Sequence, residues 1–572
     1  MFIGISAYFH DSTACLLNSD GDLVDFIKEE WLSRVKGDSS FPRMAIEKLV
    51  FDHNLTKKNV TKICFYEKPF RAWLTVAKHS VSNNNLNNEL TRNYFKNVWK
   101  SSIIFQYHLS QVKQLRSIPV EYCEHHLSHT LTSLFYSGKK PCVSVVIDGY
   151  GDKYCSSIHH VKDASDIVQV WSSEYPNSLG LFFTAITDFL GFAINEGEYK
   201  VMGLAAYGKP IYADKLKSTI YIENNKLVLD TSYFDFVRSI KQSYSSKLKS
   251  LIGISPRPPH QPLDLNKNNF KTYANLACSA QKVLEDLLSQ IFYIAHKETG
   301  EKDFHFTGGV AMNSLAVMKL SKLEFIDSLI IPPSPGDSGA AIGAAYYSFL
   351  KSHNNIMPRE KTFHSSSRFP GNFKVNKEVS ENFLNTGMTK ICDAEEGILK
   401  LADLLKENEI VATCFNNIET GPRALGHRSL ICNGHDEATI KKLNSKIKNR
   451  SNYRPTAPVT LEKSARRFFE INNKVLNLYK TMSVTAEVKD EFIENIRGVT
   501  HHDGTARVQI CEENDLLGKI LISLEKQGIS VLANTSFNVS SDPIVYDFED
   551  ALLSIIQMDI KYLYTAEGLF KR

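Results

Sequence analysis

Two stretches of the chain follow the same pattern, and together they decide the predicted fold. They are FIGISAYFHDSTACLL (residues 2–17) and PCVSVVIDGYGDKYCSSIHHV (residues 141–161). In each, an apolar strand runs into a polar turn that contains aspartate, and a second strand follows. Such a repeat predicts a duplicated α/β domain with a nucleotide in the cleft between its halves.

The remaining pattern divides the chain into two α/β domains. At 572 residues the chain exceeds the size at which one hydrophobic core stops growing, about 250–300 residues. A polar, turn-rich stretch at residues 352–372 marks the main boundary. The predicted domains are therefore 1–355 and 365–572. Apolar periodicity predicts three long helices, at residues 178–191, 272–298 and 338–351.

Composition favours a cytoplasmic globular enzyme. A net charge of +4 and 43% apolar residues give no reason to expect a nucleic-acid footprint or a membrane patch. The ten cysteines occur singly, without a CxxC pair, which fits reduced thiols. The N-terminus is too polar around His10 and Asp11 to be a signal peptide, and no apolar run is long enough to span a bilayer.

The stretch EHHLSHTLTSLFYS (124–137) is a candidate metal site. His125 and His129 are four residues apart, so on a helix they share one face and can bind one divalent ion. His126 stands where the zinc proteases have glutamate, so a protease of that type is not expected. Added carboxylates would suit a harder ion such as iron(II). The alternative is a histidine-rich helix start without metal.

Two aspartates could complete that site. Asp148 ends an apolar strand, where active-site residues of α/β sheets collect, although an ordinary Asp-Gly turn explains it equally well. Asp337 precedes a Gly/Ala-rich helix and could simply be its N-cap.

Glycine-rich turns offer places for a phosphate or ribose. Gly308 and Gly309 lie between a strand and a helix, where the backbone can approach a nucleotide. Lys200 lies in NEGEYKVMGLAAYGKP (195–210), which is either a phosphate-contacting loop or a loop before a helix.

The C-terminal domain carries cations beside glycine and proline, together with hydroxyl and amide donors. Guanidinium forks suit carboxylate and phosphate groups, so we expect a small oxyanion pocket there. A solvated basic face is the alternative, and it is preferred for Lys446. The candidate residues are Arg423, Lys448, Arg450, Arg454, Arg507, Ser536 and Asn538.

The motifs together resemble the O-carbamoyltransferases that act on antibiotics, toxins and nodulation factors. The first domain is also similar to the tRNA threonylcarbamoyl transferases of actin/Hsp70 fold, and the second resembles YrdC-like domains. The resemblance runs nearly end to end through these motifs, in order: GISAYFHDSTACLL, EEWLSRVKGDSSFP, HHLSH, VIDGYGD, EYKVMGLAAYG, GGVAMN, PPSPGDSG, GPRALGHRS, KIKNRSNYRPTAP, DGTARVQ and NTSFN.

The resemblance implies ligands for the first domain. Iron(II), or another divalent metal, would be bound by His125, His129, Asp148 and Asp337. A carbamoyl-adenylate would bind near it, at positions that match Lys36, Gly149, Gly151, Lys200, Gly308 and Gly309. His10 is the candidate base for the acceptor hydroxyl, with a structural turn histidine as the alternative.

The resemblance also implies a two-step reaction. The second domain would use carbamoyl phosphate and ATP with Mg²⁺ to form carbamoyl-adenylate, through Lys448, Arg450, Ser536 and Asn538, with Arg423, Arg454 and Arg507 in matching motifs. The first domain would then transfer the carbamoyl group to a hydroxyl. This chain departs from the usual family pattern at two positions. Gly37 stands where the family often has histidine, and Asp542 stands where glutamate is usual.

The expected partner is a small hydroxylated acceptor, without nucleic acid or membrane, and a homodimer is compatible with the sequence. Rival functions are an actin-fold kinase, a tRNA threonylcarbamoyl-type transferase and an ATP-driven chaperone. None of these rivals requires both HHLSH and a second domain with KIKNR and NTSFN.

Overall fold

The chain forms two compact units in a computed structural model. Unit 1 comprises Met1–Glu29 and Gly37–His364, and unit 2 comprises Glu30–Lys36 and Ser365–Arg572. Much of the boundary predicted at 352–372 lies outside the described residues. Those described are 1–72, 74–75, 104–138, 140–239, 241–259, 261–265, 267, 269–355, 368–370, 387–415, 417–450, 453–454 and 456–572.

Unit 1 contains two five-stranded sheets of the same topology. The strands of the first are β1 Phe2–Ser6, β2 Thr13–Leu17, β3 Leu23–Lys28, β4 Lys62–Phe65 and β5 Val120–Tyr122. Those of the second are β6 Cys142–Gly151, β7 Tyr154–Val161, β8 Ile167–Glu174, β11 Asp303–Thr307 and β12 Ser328–Ile330. A separate hairpin is formed by β9 Ile220–Glu223 and β10 Lys226–Leu229.

The sheet orders β3-β2-β1-β4-β5 and β12-β11-β6-β7-β8 show the duplication directly. In each sheet the first strand pairs antiparallel with the strand that follows it, and parallel with a later strand on its other side. The turns at 7–12 and 152–153, which follow β1 and β6, thus occupy equivalent places. The prediction of a duplicated α/β domain is confirmed.

Helices cover these sheets. The first, α1 Glu29–Ser33, lies almost entirely in the segment that belongs to unit 2. The helices of unit 1 are α2 Arg43–Asp52, α3 Phe105–Gln111, α4 His125–Ser137, α5 Leu179–Phe189, α6 Glu198–Ala205, α7 Ala213–Lys217, α8 Ser246–Ile252, α9 Phe270–Thr299, α10 Ser314–Ser321 and α11 Asp337–Ser352. The three predicted long helices are present as α5, α9 and α11.

Two of these helices pack tightly against each other. Helix α11 lies on β1, β2 and β4, and α4 lies on β6, β7 and β11. A side chain at Gly343 would put its Cβ 1.7 Å from the carbonyl oxygen of Ser128, and one at Gly4 would put it 1.9 Å from that of Ala341. Glycine therefore sets the separation both between α4 and α11 and between α11 and β1.

The strands of unit 2 are β13 Arg368–Pro370, β14 Thr389–Cys392, β15 Val411–Cys414, β16 Asn417–Glu419, β17 Arg428–Asn433, β18 Ala457–Leu461, β19 Ala486–Glu487, β20 Thr505–Ala506, β21 Gln509–Cys511, β22 Leu532–Ser536, β23 Tyr562–Thr565 and β24 Gly568–Lys571. Eight of them form a mixed sheet of order β14-β24-β23-β15-β17-β22-β18-β21. Leu401, Ile431 and Leu521 lie in the core of this unit. Its helices are α12 Ala394–Lys406, α13 Glu437–Lys442, α14 Glu462–Phe468, α15 Leu476–Lys480, α16 Leu516–Glu525 and α17 Phe548–Met558.

Within the described ranges, none of the helices combines the length and the apolarity that crossing a membrane requires.

Gly343→Ala tests the α4–α11 contact. The new methyl group would overlap a backbone oxygen, which cannot move without shifting α4, so we expect a loss of about 3 kcal/mol in the stability of unit 1. Differential scanning calorimetry of the full chain measures it. The matched control is Gly203→Ala on α6, where a Cβ meets nothing within 4 Å. Equal melting temperatures for the two variants would contradict the prediction.

Candidate functional site

A cluster of two histidines and two aspartates lies in unit 1. His125, His129, Asp148 and Asp337 each offer a ligand atom, and these atoms all lie within 4.8 Å of one another. The two Nε2 atoms are 3.2 Å apart. The Nε2 of His129 is 3.3 Å from both Asp148 Oδ2 and Asp337 Oδ1. The Nε2 of His125 is 3.8 Å and 3.6 Å from the same two oxygens.

Three elements bring these side chains together. His125 and His129 lie one turn apart at the start of α4, as the sequence predicts. Asp148 lies on β6, which continues to Gly151 instead of ending at Asp148 as the sequence predicts, although its pairing with β7 becomes irregular after Ile147. Asp337 is the first residue of α11. The N-cap of α11 is Gly336, so the alternative that Asp337 is a simple N-cap is wrong.

The geometry of the cluster fits a divalent ion. An ion with bonds of about 2.1 Å separates neighbouring ligand atoms by roughly 3.0–3.4 Å. Asp148 Oδ2 and Asp337 Oδ1 are buried without a hydrogen-bond partner. Burial of two carboxylate oxygens without such partners is costly unless they bind a cation. A metal therefore fits the residues present.

The pKa values of His129 and Asp148 also favour a positive charge at the centre of the cluster. Burial alone would lower the pKa of His129, but the carboxylates of Asp148 and Asp337 outweigh burial and raise it to about 9. Burial opposes ionisation of Asp148, yet the two imidazoles lower the pKa of its carboxyl well below the usual range. The carboxylates thus hold a positive charge at their centre, and a metal ion can take the place of a proton there.

Glycines let the backbone approach the cluster. A Cβ at Gly151 would lie 2.1 Å from the His125 ring, and one at Gly309 would lie 3.2 Å from Asp148 Oδ1. Gly308 adopts φ +89, and its Cβ would lie 2.2 Å from the Ile147 carbonyl oxygen. Gly149 instead faces Leu181, at 3.6 Å. Gly151 and Gly309 therefore lie against side chains of the cluster, and the N–H of Gly149 donates to Asp148 Oδ1 at 2.7 Å.

His10 lies beside the cluster in the turn after β1. Its Nε2 is 3.9 Å from Asp337 Oδ2, and its Nδ1 is 3.3 Å from Asp11 Oδ2. Burial lowers the pKa of His10, but the two aspartates outweigh burial and raise it to about 10. The imidazole thus points towards the candidate metal site and is oriented by a neighbouring carboxylate.

Sequence reasoning missed two acids near the cluster. Asp152 accepts hydrogen bonds from the backbone N–H of His125 (2.9 Å) and of Lys68 (2.7 Å), and so fixes the start of α4. Burial and the charge of Glu67 raise the pKa of Asp152 to about 8. Burial and Asp337 raise that of Glu67 to about 7. The second aspartate of the DGYGD motif could have pointed to Asp152, whereas no motif in the sequence pointed to Glu67.

Lys200 lies on a helix rather than in a loop. The stretch predicted as a loop contains α6, and Lys200 is in its first turn. Its Nζ lies 5.9 Å from the centroids of the Phe192 and Tyr199 rings. The prediction of a loop at Lys200 is therefore wrong. The helix forms because the Glu198 side chain accepts hydrogen bonds from the N–H groups of Asn195 and Gly197 and so stabilises the helix start.

Unit 2 gathers arginines. Burial first, and then the charges of Arg423, Arg450 and Arg454, lower the pKa of the Arg507 guanidinium well below its usual range. Arg507 Nε is buried without a hydrogen-bond partner, and Arg450 donates to Thr535 Oγ1 at 2.8 Å. Guanidinium groups that lie close together repel one another and an anion relieves that repulsion, so these four predicted residues form a candidate anion site.

A buried polar network shapes the loop that carries Arg423. Glu419 Oε1 accepts from the N–H groups of Leu425 (2.7 Å) and His427 (2.9 Å). Asn534 donates to the Ala424 carbonyl at 2.9 Å, and Gln509 donates to the Leu425 carbonyl at 2.9 Å. These residues position the loop, and sequence reasoning did not single them out, because each lies far from the loop or reads as an ordinary polar residue.

Lys448 follows a π-helical turn at Leu443–Ile447 and is buried. Its ammonium donates to the Ser536 carbonyl at 2.9 Å, to Asn538 Oδ1 at 2.8 Å and to the Asn538 carbonyl. Ser536 Oγ donates to the same Asn538 Oδ1 at 2.6 Å. Lys448, Ser536 and Asn538 therefore form one hydrogen-bonded group, next to the arginines.

Lys36 lies in unit 2. The resemblance implies that Lys36 contacts the ligand of the first domain, but residues 30–36 pack with the second unit. Its Nζ donates to the Ser540 carbonyl at 3.3 Å, and its charge is one of those that lower the pKa of Lys448, after burial and the charges of Arg450 and Arg454.

Comparison with known proteins gives the family. Residues 1–346 match the family described as Carbamoyltransferase N-terminus, and residues 402–572 match Carbamoyltransferase C-terminus. Among solved structures, component A of (R)-2-hydroxyglutaryl-CoA dehydratase from Acidaminococcus fermentans aligns with a TM-score of 0.34 at 13% identity, over 62% of this chain and 98% of its own. HypF of T. kodakarensis aligns with a TM-score of 0.33 at 13% identity, over 63% of this chain and 49% of its own. Scores this low carry no functional argument.

Curated relatives agree with the family match. Nodulation protein NolNO of Sinorhizobium fredii is 25% identical, over 99% of this chain and 80% of its own length. Nodulation protein NolO of Bradyrhizobium diazoefficiens is 28% identical, over 78% of each chain. An uncharacterized Synechocystis protein is 29% identical, over 98% of this chain and 95% of its own. The chain therefore belongs to the carbamoyltransferase family and is an enzyme that transfers a carbamoyl group.

Proposed function

We propose that this carbamoyltransferase is ATP-dependent and carbamoylates a hydroxyl of a small-molecule acceptor by way of carbamoyl-adenylate. The observation that carries the proposal is the arginine cluster of unit 2. A direct transfer from carbamoyl phosphate at the His/Asp cluster of unit 1 would not need a second, strongly cationic site. A step that gathers several phosphate groups does need one.

In the first step, carbamoyl phosphate and water give carbamate and phosphate. A carbamate oxygen then attacks the α-phosphorus of ATP, and pyrophosphate leaves with the electrons of the broken P–O bond. Arg423, Arg450, Arg454 and Arg507 disperse the charge of the phosphate groups. They act together with the Mg²⁺ that accompanies ATP. The product is carbamoyl-adenylate.

In the second step, the acceptor oxygen attacks the carbamoyl carbon and AMP leaves. His10 takes the hydroxyl proton at Nε2, while Asp11 holds the ring through Nδ1. The free imidazole has a raised pKa because Asp337 faces it; when Asp337 shares its charge with a cation, the imidazole loses its proton more easily and serves as a base. A bound divalent ion supplies Lewis acidity towards the carbamoyl carbonyl.

Iron(II) is the proposed metal. Two imidazoles and two carboxylates form a mixed nitrogen and oxygen set without thiolate, which suits iron(II) and manganese(II) and does not favour copper(I). His125 and His129 supply the nitrogen ligands, and Asp148 and Asp337 supply the oxygens.

Asp337→Asn tests the metal site. An amide keeps the shape of the side chain and removes its charge, so we expect iron(II) affinity to fall about 100-fold or more, because a ligand should matter at least as much as an outer-shell partner. Anaerobic competition with a chelator measures it. The control is Asp286→Asn, which changes a carboxylate of α9 that pairs with Lys282 and Lys217. Unchanged affinity in Asp337→Asn would exclude this aspartate as a ligand.

His129→Ala tests the division into two steps. It should abolish carbamoyl transfer to an alcohol, yet leave carbamoyl-phosphate-dependent release of pyrophosphate within about twofold of the unsubstituted protein. A matched control is His160→Ala on β7, where the imidazole pairs with Glu301. Both activities are followed in one assay with ATP, carbamoyl phosphate and iron(II). Loss of both steps in a folded His129→Ala variant would argue against separate sites.

The same assay separates the rival functions. ATP turnover without carbamoyl phosphate favours a kinase or a chaperone. Transfer to tRNA rather than to a small alcohol favours the threonylcarbamoyl type. Pyrophosphate release that requires carbamoyl phosphate supports the proposal.

A further inference from the structure

The candidate metal ligand His125 lacks the hydrogen bond that usually orients a metal-binding histidine. Such a histidine donates its second ring N–H to a carboxylate, a carbonyl or water, and this bond fixes the ring. Within the described part of the chain, no group bonds to His125 Nδ1, which is buried. Glu124 is the N-cap of α4, yet its side chain makes no capping hydrogen bond to the helix. The position of His125 is therefore set by groups outside its own helix.

Asp152 contacts the backbone of His125. This histidine is the first residue of α4, and the first N–H groups of a helix have no carbonyl within the helix to bond. Asp152 Oδ2 accepts from the His125 N–H at 2.9 Å. Asp152 is fully buried, and the helix dipole favours a carboxylate at this end of a helix. The turn that follows β6 thus holds the first turn of α4 and the ligand that it carries.

The same carboxylate is bonded to the segments that pack against the His125 ring. Gly151 directly precedes Asp152, and a Cβ there would lie 2.1 Å from the imidazole. The Tyr66 ring lies on the imidazole too, with ring centroids 5.0 Å apart. Asp152 Oδ1 accepts from the N–H of Lys68, two residues after Tyr66, at 2.7 Å. Asp152 therefore joins the backbone of His125 to both segments that confine its ring.

We propose that Asp152 is a positioning residue of the metal site, which holds His125 with its Nε2 directed at the ion and so raises the affinity of the site for a divalent metal. The inference rests on the proposed function, because it deepens the metal site described there. Both oxygens of Asp152 accept from backbone N–H groups, so its effect reaches the ion through His125.

The test is Asp152→Asn in the full-length protein. The backbone at this position has φ +53, which asparagine adopts readily, so the turn keeps its conformation. An amide accepts through one oxygen only, so the N–H of His125 or of Lys68 loses its partner. We expect the affinity for cobalt(II), measured by competition with a chelator, to fall about tenfold or more, as for other groups that orient a metal ligand. The visible absorption of bound cobalt(II), which reports ligand geometry, should change as well.

The matched control is Asp188→Asn. Asp188 Oδ2 accepts from the Ser243 N–H at 2.7 Å, so this variant loses the same kind of bond elsewhere in unit 1, where none of the four candidate ligands is the partner. It should melt at a lower temperature and bind cobalt(II) with unchanged affinity and spectrum. If Asp152→Asn also binds cobalt(II) with unchanged affinity and spectrum, the proposal is overturned, even where its melting temperature is lower.

Hydrogen exchange of the unsubstituted protein tests the proposal without a variant. Because one carboxylate bonds both N–H groups, cobalt(II) should slow exchange at Lys68 as well as at His125, as resolved by mass spectrometry. Slower exchange at His125 with no change at Lys68 would show that Asp152 does not couple the two, and the proposal would be wrong.

Failure of this inference differs from failure of the proposed function. If the unsubstituted protein binds neither iron(II) nor cobalt(II), the metal site itself is wrong, and the role of Asp152 falls with it. If the unsubstituted protein binds the metal and Asp152→Asn binds it equally tightly, only the assignment of Asp152 is wrong.

Discussion

The close contact between α4 and α11 is the constraint on which the site of unit 1 depends. Gly343 brings its helix backbone against the carbonyl of Ser128, which lies one residue before His129. At that separation the first turn of α11 reaches the first turn of α4, and Asp337 comes within 3.3 Å of the His129 imidazole. Since α11 also lies on β1, the turn that carries His10 is positioned by the same helix. One packing arrangement between glycine and backbone therefore positions the candidate metal ligands and the candidate base together.

The two candidate sites gather charges of opposite sign. In unit 1, two buried carboxylates and two buried imidazoles lie close enough together to hold one cation. In unit 2, guanidinium groups crowd one another, and the charges that lower the pKa of Arg507 all belong to neighbouring arginines. Like charges close together repel one another, so a ligand of opposite charge would stabilise each cluster: a cation in unit 1 and an anion in unit 2.

The sequence predicted the parts of the fold and site that depend on local pattern. The repeat of strand, aspartate turn and strand gave the two equivalent sheets, and the i, i+4 spacing of His125 and His129 placed both imidazoles on one helix face. Long-range contacts were not predictable in this way. Asp152 fixes the start of α4 from 27 positions away, and Glu198 turns a glycine-flanked stretch into helix α6 through its own side chain. Neither effect leaves a periodic signal.

Lys448 and Lys36 show how a motif can assign a residue type correctly and leave its role open. Both match positions where a lysine meets phosphate. A buried ammonium must satisfy three donors, and Lys448 satisfies them with the Ser536–Asn538 turn, so its physical effect is to hold that turn beside Arg450. Lys36 belongs to residues 30–36, which pack in unit 2, and its ammonium donates to the Ser540 carbonyl. Trp31 and Arg34 anchor this segment through Tyr546 and Asp550, partners that no local pattern around Lys36 could indicate.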